Sequence, residues 1–200
     1  MNIQITPEVE QSRTKRLRAH THATHERLDT GIMTARPFEN RERYGRFLKV
    51  QFAFHREIDA LYSNAALDVL LPDLAGRRRL GLIAQDLADL GVAVPLSDTA
   101  PVFAAGGQTV IPAGLGWLYV AEGSNLGAAF LLKEAAKLDL TETFGARHLA
   151  AAPEGRGLHW KSFTAALDGL TLDEAEERLV IAGAEAAFAR VLALSASELG

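Results

Sequence analysis

The sequence predicts an all-α protein. Apolar residues recur at helical spacing through several long segments, and helix start and stop signals bracket those segments. No segment shows the strict alternation of a half-buried strand. At 200 residues the chain fits a single domain, 1–200, and folding at this size buries roughly 70% of the unfolded surface. A core of that extent can surround a large apolar ligand.

The elements follow in order. Thr6-Pro7-Glu8 combines an N-cap, a first-turn proline and an acid favoured at a helix's positive end. The spacing predicts a helix from there to about Met33, with Pro37 beyond it and residues 1–8 flexible. A second helix is expected from near Asn40 to Tyr62, carrying Tyr44, Phe47, Leu48, Phe54, Ile58 and Leu61 on one stripe. A third spans Asp73 to Leu90, closed by Gly91. Gly91 to Pro112, rich in Gly, Pro, Ser and Thr, reads as the longest loop. Ala113 to Leu138 is helical again despite Gly114, Gly116, Gly123 and Gly127. A helix from about Leu158 to Asp168 follows, and a last one starts at a capping box, Thr171 with Glu174.

Composition narrows the function classes. Charged residues are 23% and hydrophobic ones 48%, an ordinary globular balance. A net charge of -4 argues against a nucleic-acid partner, since backbone binding needs clustered Lys and Arg. Zero cysteines exclude disulfides, thiolate metal sites and thiol nucleophiles, and suit a reducing compartment. The N-terminal run MNIQITPEVEQSRTKRLR has no apolar core of signal-peptide length, so the expected location is cytoplasmic. Gly114 to Leu132 is apolar enough to raise the question of a membrane span. Glu122, Ser124 and Asn125 interrupt it near its middle, and no membrane insertion is expected.

Three histidines lie on the first helix. At about 100° per residue His20 points almost opposite to His25, so His20, His22 and His25 cannot share one ion, and zinc would need three or four ligands. His25 falls on the apolar stripe with Arg18, Thr21, Leu28 and Ile32. Asp29, four residues on, can accept one ring N–H, which fixes the tautomer and frees the other nitrogen for a metal. The same carboxylate could simply satisfy a structural histidine, and the pair alone leaves both readings open. Arg18, flanked by Lys15, is either a solvated cation or placed to meet an acidic group on whatever His25 holds.

Glycine in a helix interior costs roughly 1 kcal/mol relative to alanine, so Gly123 and Gly127 on one face need a reason. One is close helix packing of the small-xxx-small kind. The other is close approach of the backbone to a flat ligand, with Ser124 and Asn125 adding polar atoms. On the second helix, Gln51 and His55 fall within the aromatic stripe and must be hydrogen-bonded there. They are either an isolated structural pair or anchors for ordered water. The run Arg77-Arg78-Arg79 reads as solvent-facing, with room for one arginine to turn inward.

The run Leu17-Arg18, Thr21, His25, Leu28 resembles the proximal helix of haem oxygenases. LGWLYVAEGSNLGAAFLLKEAAKLDL resembles the distal helix of their Gram-negative bacterial branch, and FGARHLAAAPEGRGLHWKSFTAALDGL the segment that follows it. The likeness runs from about Arg13 to the C-terminus. It implies a helical bundle with haem between a proximal helix and a kinked distal helix. It implies His25 as axial iron ligand, Gly123 and Gly127 as distal backbone, and Arg18, Tyr119 and Lys15 toward the propionates. Gln51, His55 and Arg79 match a distal water network. Where animal relatives carry aspartate just after the first distal glycine, this chain has Ser124. Positions that rotate the haem in some relatives are Arg18 and Met33 here, so attack at the α-meso carbon is the expected outcome. The implied reaction uses O2 and an external electron donor, such as ferredoxin or a flavin reductase, and yields biliverdin, CO and ferrous iron. A phytochrome could receive the bilin. A non-catalytic haem carrier using the same His25 is the alternative.

Overall fold

A computed structural model describes residues 12–200, so the Thr6-Pro7-Glu8 start signal and the expectation for residues 1–8 lie outside the described residues. Among the described residues there are seven α-helices and no strand: α1 Arg13–Thr34, α2 Arg41–Ile58, α3 Ala65–Leu70, α4 Leu80–Asp89, α5 Ile111–Ala136, α6 Arg156–Gly169 and α7 Glu174–Leu199. The all-α expectation holds.

Local chemistry sets most boundaries. Asn40 caps α2, its side chain accepting from the Arg43 backbone at 2.9 Å. The expected continuation to Tyr62 is corrected. The α-helix stops at Ile58, and Asp59–Ser63 tightens into a 3-10 turn before Asn64 caps the short α3, which the sequence pattern did not reveal. The expected helix from Asp73 to Leu90 is also corrected. Asp73 sits at positive φ and Ala75–Arg77 is a single 3-10 turn, so α4 begins only at Leu80. Gly91 closes that segment at φ 66. Pro112 occupies the first turn of α5, where no intrahelical N–H is needed.

The last capping box lies two residues beyond the predicted Thr171 and Glu174. Asp173 is extended, accepts from the Glu176 backbone at 2.8 Å, and its own N–H reaches the Glu176 carboxylate at 2.9 Å. Asp173→Ala should cost about 1 kcal/mol, read as a lower urea midpoint at constant m.

Packing is organised around α7. It contacts α5 most extensively, then α1 and α2, whereas α1 and α5 make at most marginal contact with each other. Leu17, Phe54, Ile58, Trp117, Phe163 and Phe188 belong to the larger core beside α7. Tyr44, Phe47, Leu48, Ile83 and Leu87 fill a second core between α2, α4 and the far half of α5. Where α5 crosses α7, glycine meets glycine. A Cβ on Gly116 would lie 2.1 Å from the Val180 carbonyl oxygen, and one on Gly183 2.3 Å from that of Ala113. By length and composition α7 is the one described helix able to cross a membrane, and part of it is core against three other helices.

Candidate active site

The glycines of α5 divide into two sets. Gly116 is spent on the α7 crossing, a packing role that the spacing had suggested for Gly123 and Gly127 instead. Gly127 is exposed, and a Cβ there would meet nothing within 4 Å. Gly123 is half-buried with only the Trp160 ring near its missing Cβ, at 3.6 Å. Leu126 and Phe130, on the same stretch, are exposed large apolar side chains. Ser124 is exposed, and its hydroxyl donates to its own helix at the Ala121 carbonyl, 2.7 Å away. Arg156 from the start of α6 donates to the Asn125 carbonyl at 3.1 Å, tethering the α5 backbone between Gly123 and Gly127.

On α1 the buried line is Leu17, Thr21 and Leu28. The placement of His25 on that line is corrected, because its side chain is 55% exposed at the margin of the stripe. The apolar stripe itself is spent on α7 and α6, and His25 keeps only an edge contact with Phe188 of α7, ring centres 5.7 Å apart. Its Nδ1 lies 3.2 Å from the Asp29 carboxylate, as the spacing predicted. Nε2 is thereby the nitrogen left for a metal. His22 pairs with Glu26 instead, and the described residues hold no cluster of three or more metal-ligating side chains. A shallow depression of about 520 Å³ adjoins the pair, lined by Asp29, Thr30, Met33 and Thr34.

Arg18 and Tyr119 are brought together across the space between α1 and α5. Burial raises the Tyr119 phenol above its ordinary range, while the nearby Arg18 guanidinium opposes that shift. Lys15 is exposed one turn before Arg18.

Behind α5 lies a buried polar cluster. His55 is 4% exposed and Gln51 half-buried, with no hydrogen bond between them. Burial, with Arg79 and His148 nearby, pushes the His55 imidazole down to about 3, so it is neutral. Two arginines of the basic run turn inward, not one. Arg77 bonds Glu122 at 2.9 Å, and Arg79 donates to the His148 carbonyl, while Arg78 stays outside on Asp59. Glu122 also accepts from Tyr62 at 3.4 Å. His159 lies between Glu154, 2.7 Å from Nδ1, and Glu122, 3.4 Å from Nε2. His55 Nδ1, Arg79 Nε, Asn125 Nδ2 and His148 Nε2 are buried with no protein hydrogen bond. Buried polar atoms without protein partners call for water. Tyr62, His148 and His159 escaped the sequence analysis, and Arg77 and Glu122 were noticed there without being joined to this cluster. The one available signal was Glu122, a charge inside an otherwise apolar helix.

The neutral His55 gives a pH dependence. Its folded pKa lies below the unfolded value, so the unfolded chain binds the extra proton between about pH 3 and 6.5, and stability is lost as pH falls through that window. At pH 5 the penalty amounts to about 2 kcal/mol. Urea unfolding at pH 7 and pH 5 should show this loss in the parent protein and a smaller one in His55→Gln.

The chain matches the family described as haem oxygenase over residues 11–196. It belongs to the haem oxygenase family. It is 47% identical over 178 residues to the haem oxygenase PigA of Pseudomonas aeruginosa, covering 89% of this chain and 88% of that one. It superposes with a TM-score of 0.87 on the NO- and CO-bound haem oxygenase of Neisseria meningitidis, at 41% identity over 94% of this chain and 92% of the other. The haem oxygenase of Leptospira interrogans, at 18% identity and a TM-score of 0.74 over 94% and 100% of the two chains, shares the fold. The protein is thus an oxidoreductase of the haem oxygenase type, with haem as substrate and prosthetic group.

Proposed function

We propose that His25 is the axial ligand of the haem iron and that this site cleaves haem at the α-meso carbon to biliverdin, CO and ferrous iron. The observation that carries the reading is the accessible His25–Asp29 pair on α1, together with the bare glycine backbone that α5 presents at Gly127. The residues fit the group. A neutral imidazole with one nitrogen held by a carboxylate is a suitable iron ligand. Glycine backbone admits a flat macrocycle, and buried nitrogens lacking protein partners suit a hydrated distal side.

Haem, when bound, supplies the iron at which O2 is activated and the carbon that is oxidised. The chain's own residues supply position, charge and protons. Asp29 holds His25 in the Nδ1–H tautomer. Arg18, Lys15 and Tyr119 meet the propionates. Gly123 and Gly127 set the clearance on the distal face, with Ser124 at its rim, and Leu126 and Phe130 exclude water. Gln51, His55 and Arg79 order the water through which protons arrive. Electrons come from an external donor such as ferredoxin or a flavin reductase, since the chain carries no flavin or nicotinamide fingerprint. The single 1–200 domain works in the cytoplasm, and its bilin is available to a phytochrome.

Incubating the haem-loaded protein with ascorbate or a ferredoxin system in air tests the reading. The Soret band should disappear as a bilin absorption grows, and chromatography should show the α isomer of biliverdin. A lasting ferrous or oxy spectrum would instead mark a carrier.

A further inference from the structure

We propose that Asp86 and His148 form a positioning dyad that gives the distal network its fixed hydrogen-bond acceptor. This rests on the reading of His55 and Arg79 as members of that network.

The dyad is fully internal. Asp86 on α4 has a side-chain exposure of 0% and His148, in the 3-10 turn Arg147–Leu149, 3%. One Asp86 oxygen accepts the His148 backbone N–H at 3.0 Å and faces His148 Nδ1 at 2.8 Å. The other accepts the Arg147 backbone at 2.9 Å and its guanidinium at 3.2 Å. Burial alone would raise the Asp86 carboxyl. The bonds from His148 and Arg147 outweigh it and hold the group below its ordinary range. A carboxylate facing Nδ1 forces the proton onto that nitrogen. Burial keeps the ring neutral, against the pull of Asp86. Nε2 is therefore a bare acceptor, and it is buried with no protein partner.

Its surroundings include fixed donors. Arg79 donates to the carbonyl of His148 itself and leaves Nε–H unpaired by protein, and His55 lies near both, close enough for the Arg79 charge to help depress it. Phe47 from α2 closes another side, its ring centre 6.4 Å from that of His148. The other charged groups facing the dyad are Arg147 and, beyond it, Asp89. Water joining these nitrogens needs an acceptor as well as donors. His148 Nε2 is that acceptor, and Asp86 holds it so. The dyad thus gives the water chain a direction.

Long-range 1H–15N spectra of the haem-free protein read the tautomer directly. The expected result is a neutral Nδ1–H His148 at pH 7 and above, becoming Nε2–H in Asp86→Asn. In the haem-loaded protein, the pH midpoint between the acid and alkaline optical spectra should fall in Asp86→Asn by about half a unit, roughly threefold in proton affinity. A chain that ends on a donor favours the more negative alkaline form. His148→Phe should shift that midpoint too, with haem binding retained. A protonated or Nε2–H His148 in the parent protein at pH 7 and above overturns the proposal, whatever the variants do. So does an unchanged midpoint in both variants when Gln51→Leu or His55→Gln moves it. If none of the four variants moves the midpoint, the network reading itself fails, and the dyad's positioning role with it.

Discussion

Replacing His25 with alanine should abolish the native haem spectrum and turnover while leaving the haem-free protein as stable as its parent. The two halves have different causes. The ring is more than half exposed and contributes little packing beyond its edge contact with Phe188, so its loss opens no core cavity. Its loss removes the nitrogen that Asp29 prepares. Removing a hydrogen-bonding partner behind a metal ligand costs about 10–100-fold in affinity, and removing the ligand costs more. Asp29→Ala should accordingly weaken haem binding by about 10–100-fold while retaining a histidine-ligated spectrum. Haem titration followed at the Soret band, with urea unfolding of the haem-free variants, checks both. Unchanged binding in His25→Ala would overturn the ligand assignment.

Gly116→Ala should be the most damaging single methyl group in the molecule. Its Cβ would lie 2.1 Å from the Val180 carbonyl oxygen and 2.6 Å from the Ala184 amide nitrogen, both backbone atoms with no rotamer to escape through. The helices must separate, which costs about 3 kcal/mol and lowers the melting temperature by about 6–12 °C for a chain of this size. Gly127→Ala, with nothing within 4 Å of the new Cβ, should behave oppositely. Alanine's helix propensity stabilises the haem-free protein by up to about 1 kcal/mol. The same methyl then intrudes on the distal face, and haem cleavage falls. Calorimetry and turnover on the two variants should order them in opposite senses. Gly116 thus serves the fold, and Gly127 is left open for the role proposed for it.

That division was not legible in the sequence. The spacing of Gly123 and Gly127 allowed both helix packing and ligand approach, and only the position of α7 shows which glycines it needs. The helices themselves were legible because their apolar spacing and caps are local properties, and so was the His25–Asp29 pair, a helical i,i+4 contact. Burial of His25 was read too deep, because a stripe drawn at 100° per residue does not say where the packed face ends. The polar cluster was the least legible part. Arg77, Arg79 and His148 sit in 3-10 turns or beside them, and their inward orientation depends on partners 45 to 82 residues away in sequence. No local pattern encodes that distance. The predicted helix over Asp73 to Leu90 would have carried the arginines round its surface, and only its replacement by a tight turn aims two of them inward.

The arrangement of α1 and α5 about α7 has a mechanical consequence. Both helices grip the same spine yet hardly touch each other, so they act like the jaws of tongs sharing one rivet. Their largest contacts lie along that spine, with α6 packed against both. In the proposed site the haem is the object gripped and supplies the missing layer between them. Cleaving the ring turns a rigid disc into a flexible open chain, which holds the jaws apart less firmly. On that proposal the chemistry loosens the grip on its own product, and release is a property of the architecture rather than of any one side chain.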